Sequence, residues 1–230
     1  MPGEVEIEER MKPHFVAMFT VTSLVASVAL GDIYVDPTGD IATGNANLDI
    51  TQVEVTNDES NVYLTLTVDS LDGDWGKYML FFDYEDGGSN DNDNPWGRNV
   101  SGLSGTDTFI GSWLDGGGGA TSFSHYWDFG TSQWSADYDP AVSIDWASNS
   151  ISFTISDLVG LGISGFNFEV ATTGGNWGDP AIDLLGGEGT QPGWGGGSTS
   201  TDWMHYEIAI PAPSALALLA LAGLGRRRRS

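Results

Sequence analysis

Cysteine is absent from the 230 residues, so no disulfide can hold this fold and thiolate metal sites and thiol catalysis are excluded. Cations are almost as scarce. There are 8 Lys and Arg against 32 Asp and Glu, and the basic residues crowd the ends, with Arg10 and Lys12 near the start and Arg226 to Arg229 at the finish. Between Asp32 and Ile210 only Lys77 and Arg98 are basic, while all the acidic residues except Glu4, Glu6, Glu8 and Glu9 lie there. A surface of this sign repels nucleic acid and anionic lipid. Such an excess of carboxylate has two ordinary meanings: solubility in a salty medium, or oxygen-rich sites for hard cations. Histidine is sparse too. His14, His125 and His205 do not form a transition-metal cluster.

Long hydrophobic runs are missing except at the two ends. From Met11 the chain reads as a short basic start, an apolar stretch from Phe15 to Leu30, and small residues at Ala29 and Gly31 before Asp32. That is the layout of a cleavable signal peptide over residues 1–31, with signal peptidase as the partner. The acidic residues before Arg10 do not suit such a segment, so Met11 is read as the true start. At the far end, the apolar stretch from Ala215 to Gly225 is about half the roughly 20 residues a spanning helix needs, and the arginines that follow are a stop-transfer signal.

The ordered combination of Pro211-Ala212-Pro213, a short Leu/Ala/Gly helix and the cluster Arg226, Arg227, Arg228 and Arg229 resembles the PEP-CTERM class of bacterial sorting tails, with PAP in place of the usual PEP box. The resemblance covers residues 211–230. It implies cutting near the box by an exosortase-like membrane enzyme and delivery to the cell envelope, cell surface or extracellular matrix. A plain C-terminal membrane anchor is the alternative.

The middle, residues 32–210, has a period of two. In Asn61 to Val68 the residues Val62, Leu64, Leu66 and Val68 alternate with Tyr63, Thr65 and Thr67, the pattern of a half-buried strand. Further strands are expected at Asp49–Thr56, Lys77–Tyr84, Thr108–Leu114, Ser122–Phe129, Ala141–Trp146, Ser150–Ser156, Gly165–Thr172 and His205–Ile210, separated by Gly/Asn/Asp turns. No window carries a long amphipathic helix; Ser156 to Gly162 reads as one helical turn or a loop, with Ser156 as its N-cap. Many short strands without helical crossovers predict an all-β, antiparallel β-sandwich of jelly-roll-like course. The Gly-rich span Gly186–Ser200 is expected to be a mobile loop in which Trp194 alone packs.

Asp36-Pro-Thr-Gly-Asp40 with Leu48-Asp49-Ile50, then Phe81 to Gly87, Asn94 to Arg98 and Thr172 to Asp183, resemble the DOMON-like and carbohydrate-binding-module-like sandwich domains of secreted proteins. The resemblance implies a sandwich with a binding face and often a calcium ion, and it does not imply catalysis.

Calcium takes 6 to 8 oxygens, supplied most easily by loops in which Asp and Asn alternate with Gly. Two stretches qualify: Asp36, Asp40 and Asp49, with Asp179 and Asp183 completing the site if the chain returns beside it, and Asp83, Asp86, Asp91 and Asp93. Neither is an EF-hand. The 9 tryptophans suggest a platform for extracellular polysaccharide, since aromatic rings stack on sugar faces; Trp96, Trp113, Trp127 and Trp134 are the candidates. A purely structural surface protein is the alternative, and uniformly buried tryptophans would favour it over a clustered, exposed row. A glycoside hydrolase is the third reading. Its two carboxylates, for instance Asp137 and Asp139, must face each other about 5 to 9.5 Å apart, and no nucleophile elbow or phosphate loop accompanies them.

Overall fold

The computed structural model describes residues 31–71, 75–115 and 119–209. The expected signal segment, the expected sorting tail and the turns at Asp72–Asp74 and Gly116–Gly118 lie outside them. Among the described residues no helix is long and apolar enough to cross a membrane.

The chain folds as the expected antiparallel β-sandwich. One sheet has five strands in the order β1 (Asp32–Val35), β2 (Ile50–Asn57), β3 (Val62–Val68), β10 (Ser150–Ile155) and β9 (Ala141–Asp145). The other runs β12 (Ala181–Leu184), β11 (Gly165–Thr173), β4 (Lys77–Asp83), β6 (Thr108–Asp115), β7 (Gly119–Asp128) and β8 (Gln133–Ala136). A seventh strand, β14 (Met204–Glu207), pairs with the first half of β11, and β12 pairs with its last residues. A parallel pair, β5 (Val100–Ser101) with β13 (Ser198–Thr199), ties two long loops together. The neighbours β3 and β10, and likewise β4 and β11, are far apart in sequence, which gives the wound course.

The main core lies between the sheets. Val62, Leu64, Leu66 and Val68 of β3 face Leu80 and Phe82 of β4 and Phe166, Phe168 and Val170 of β11, all nearly without exposed surface. Each such side chain contributes about 1.5–3 kcal/mol. The seven-stranded sheet is covered on its other face as well, where Met79, Phe81, Phe109 and Ala171 pack under Val100, Leu103 and Leu184. This two-sided burial explains why β4, KYMLFFD, is a continuous apolar run, whereas β3 alternates.

Three expectations need correction or extension. Ser156 precedes the single helical turn α1 (Asp157–Gly160), but its backbone is already helical and its hydroxyl makes no cap to the turn; it lies 3.2 Å from Asp157 Oδ1 instead. The Gly186–Ser200 span is tied down rather than loose. Its backbone bridges Gly187 to Ser200 and Gln191 to Ile41, and it packs through Gln191, Ser198 and Ser200, which are buried, while Trp194 remains 46% exposed. Finally, β1, β5, β8, β12 and β13 were not expected; each is four residues or fewer, too short to display a period.

Candidate metal site and aromatic face

The loop from β1 to β2 carries three aspartates, and β12 brings a fourth beside them. Asp36 sits just after β1, where its N–H donates to Thr51 at 3.0 Å. Asp40 precedes Ile41, which bridges to Gln191. Asp49 closes the loop, its Oδ2 accepting the Gly39 N–H at 2.8 Å. Asp183 Oδ2 accepts the Ile50 N–H at 2.6 Å and its Oδ1 accepts the Leu184 N–H at 2.9 Å. Asp36, Asp40 and Asp183 each place a carboxylate oxygen within 4.8 Å of the others.

Three of the four aspartates are buried, Asp40 is partly so, and among the described residues no cation faces them. Asp183 has no exposed surface, Asp49 is 5% exposed and Asp36 9%. Asp36 Oδ2, Asp40 Oδ1 and Asp49 Oδ1 are buried without a hydrogen-bond donor. Burial, followed by the charges of Asp183, Asp40, Glu169 and Asp49, pushes the Asp36 carboxyl up to about 9. Burial pushes Asp183 up to about 8, partly offset by the bond from Ile50, and it raises Asp40 and Asp49 as well. Lys77 and Arg98 are engaged elsewhere, over the Trp96 ring at 5.5 and 5.9 Å. Buried anions without partners are costly, and an oxygen-only donor set with three orphaned atoms suits a hard cation. The cluster could therefore hold a metal ion.

The other aspartates named from sequence are not gathered into such a group. Asp179 Oδ2 caps its own turn by accepting the Asn176 N–H at 2.8 Å. Asp83 Oδ2 accepts from Asn167 at 3.2 Å, Asp91 Oδ1 accepts the N–H of Gly102 at 2.7 Å and of Leu103 at 3.1 Å, and Asp93 Oδ1 accepts the Trp134 indole N–H at 3.2 Å. Asp86 is exposed. In this stretch Asp91 ties a loop through backbone N–H groups, while Asp83 and Asp93 each accept from a distant side chain.

Two buried acids escaped the sequence reading. Glu169 sits in β11 where the partner strand changes from β14 to β12. Its carboxylate fills the break, accepting the Gly186 N–H at 3.0 Å and the Ser200 hydroxyl at 2.5 Å. Full burial nevertheless holds it up at about 7. Asp107 Oδ2 accepts the N–H groups of Tyr84 and Glu85 at 2.7 and 2.9 Å. Burial raises it to about 6. An acid at an apolar strand position was the available signal for Glu169; its partners are 17 and 31 residues away.

Three of the four candidate tryptophans share the outer face of the seven-stranded sheet and are half-buried. Trp96 comes from a loop and lies across Gly111, where a Cβ would fall 2.6 Å from the indole. Its ring meets Phe109, Trp113 and Phe123 at centroid distances of 5.6, 6.4 and 5.5 Å. Trp134 continues the row beside Phe109 at 6.4 Å. Trp127 packs edge-on against Trp134 at 5.5 Å and is only 7% exposed, so it supports the face from within. The more exposed tryptophans are not among these four: Trp177, 87% exposed at the β11–β12 turn, and Trp194, whose ring lies against Gly174. Of the acid pair considered for hydrolysis, Asp137 lines a cavity with Glu85 and Asp157, and Asp139 does not.

Fold and site together define a class: an all-β sandwich with a buried carboxylate cluster able to hold a metal ion and an aromatic outer face. No protein-family model matches the chain, and no curated protein does.

Proposed function

We propose that this chain is an exported, non-catalytic sandwich protein of the cell envelope or matrix that binds glycan and is braced by calcium. The acidic cluster carries the reading. Asp36, Asp40 and Asp49 belong to the loop leading into one sheet and Asp183 to a strand of the other, so a cation held by all four would clamp the sandwich at that end. Calcium fits because every available donor is oxygen and the loop supplies several at once.

The ligand class is supported by the half-buried row of Trp96, Trp113 and Trp134, with Phe123 between them. Export and sorting are supported by residues 1–31 and 211–230 of the sequence alone. Binding in place of glycoside hydrolysis is supported by the acid pair Asp137 and Asp139, of which only Asp137 lines the cavity. A purely structural surface protein is the second reading, favoured by the mutual packing of Trp96, Phe109 and Phe123.

The test is a panel of soluble polysaccharides and oligosaccharides presented to the purified protein with calcium or with EDTA. The proposal expects binding that weakens about tenfold or more in Trp113→Ala, the loss of roughly one stacking platform, while the fold is kept. Absence of binding to every glycan, with a calcium-stabilised fold intact, would leave the structural reading.

A further inference from the structure

Among the described residues, the cavity that Asp137 lines lies between strands of the two sheets and shares Trp127 with the aromatic face. It has a volume of about 280 Å³. Its walls are aromatic: Tyr84, Tyr126, Trp127 and Tyr138 line it. Ile155 and Leu158, both buried, form an apolar floor. Around this apolar interior stand three carboxylates, Glu85, Asp137 and Asp157, all exposed.

Among the described residues no Lys or Arg answers these charges. Lys77 and Arg98 are the only Lys and Arg among the described residues, and both sit over Trp96. His125 feels the charge of Asp137, but burial lowers its pKa and favours the neutral ring. Tyr84 and Tyr138 are held as neutral phenols. Burial, with the Asp157 charge next in size, keeps Tyr138 at about 12, and burial also raises Tyr84. The Tyr84 hydroxyl is fixed by Thr108 at 2.9 Å, so its ring is positioned before any ligand arrives.

We propose that this cavity binds a small organic cation, a methylated or primary ammonium group, among Tyr84, Tyr126, Tyr138 and Trp127, with Glu85, Asp137 and Asp157 at its rim. Aromatic faces attract a poorly hydrated cation, and the effect grows when water is excluded. The apolar floor suits methyl or methylene groups. A bare metal ion is the wrong occupant, because it needs converging oxygens and these carboxylates stand apart at the rim. A neutral sugar can stack on the rings and donate hydroxyls to the carboxylates, but it carries no charge to offset theirs. The ammonium group uses both.

The experiment titrates the full protein with choline chloride at constant ionic strength, read by tyrosine and tryptophan fluorescence and by calorimetry. The uncharged isostere 3,3-dimethyl-1-butanol and glucose are the comparison arms. The expected result is saturable choline binding at least tenfold tighter than that of the isostere, a difference of about 1.4 kcal/mol. Asp137→Asn and Tyr126→Ala, both at exposed positions, should each weaken choline severalfold, while Trp113→Ala should leave it unchanged. Equal affinity for choline and its isostere would overturn the proposal by showing a merely apolar pocket. So would tighter binding of glucose, or no choline binding up to about 100 mM, where any useful cation–π site would be filled. Because Trp113 belongs to the glycan face and not to this cavity, failure here leaves the glycan reading standing, and the reverse also holds.

Discussion

Asp183 accepts the N–H of Ile50 at 2.6 Å across 133 residues of sequence, joining the seven-stranded sheet to the five-stranded one beside the acidic cluster. Asp183→Ala orphans this buried donor and that of Leu184 together. Urea unfolding in EDTA should show a loss of about 2–5 kcal/mol, the cost of leaving two buried groups unsatisfied. Asp183→Asn keeps one acceptor and removes the buried charge, so it should cost less than the alanine variant. Equal stability of the alanine variant and the wild type would mean that the bond does not hold the sheets together.

Glu169 predicts a pH dependence. Its carboxyl lies at about 7 in the folded protein against an ordinary 4.5. Below pH 4.5 it is protonated in folded and unfolded chains alike. Between 4.5 and 7 the unfolded chain releases the proton while the fold retains it, so stability falls as pH rises and the contribution is gone above 7. The full loss is about 3 kcal/mol. Asp107, raised to about 6, and Asp36 and Asp183, raised to about 9 and 8, act with the same sign. In chemical unfolding without divalent ions, Glu169→Gln should make the decline between pH 5 and 7 shallower without abolishing it; an unchanged slope would remove Glu169 as a contributor.

Gly111 is where the sheet admits the Trp96 indole. An added methyl group would meet the indole at 2.6 Å and Phe123 at 3.0 Å. Gly111→Ala should cost about 1–3 kcal/mol through overpacking and shift tryptophan emission to the red as Trp96 lifts. Unchanged emission and stability would show that the ring relaxes without cost.

Asn57 fastens the end of the described chain. Its Oδ1 accepts the Tyr206 hydroxyl at 2.8 Å and the Ala209 N–H at 2.9 Å, while its Nδ2 donates to the Ala209 carbonyl at 3.0 Å. Asn57→Ala should lower stability by about 2–4 kcal/mol and speed proteolysis after β14. Proteolysis at the wild-type rate would place the fastening elsewhere.

The architecture was legible wherever a strand has one buried face. Alternation in β3 sufficed, and the expected spans of β6, β9, β10 and β11 match the observed strands to within a residue or two. The short strands were hidden because two to four residues cannot show a period, and the tied-down glycine span because its order comes from contacts with Ile41 and Glu169 that are distant in sequence. Of the candidate cation ligands, Asp36 and Asp40 were readable as one loop, but the return of Asp183 depends on the pairing of β12 with β11. The aspartates from Asp83 to Asp93 looked equally suitable. Composition alone does not distinguish oxygens that converge on one point from oxygens that each accept a separate donor.

The central claim is that the Asp36, Asp40, Asp49 and Asp183 group is a calcium brace. The direct measurement is thermal unfolding of the protein in millimolar CaCl₂, in matched MgCl₂ and in EDTA, with Asp36→Asn alongside. A ligand at a hundredfold excess over its Kd stabilises the fold by about 2.7 kcal/mol, so calcium should raise the midpoint by several degrees and magnesium should not. Asp36→Asn replaces a carboxyl that burial pushes up to about 9 and whose Oδ2 has no donor; it should melt at or above the wild type in EDTA and lose the calcium increment. Identical melting of the wild type in all three solutions would contradict the account and leave the cluster as buried acids kept protonated.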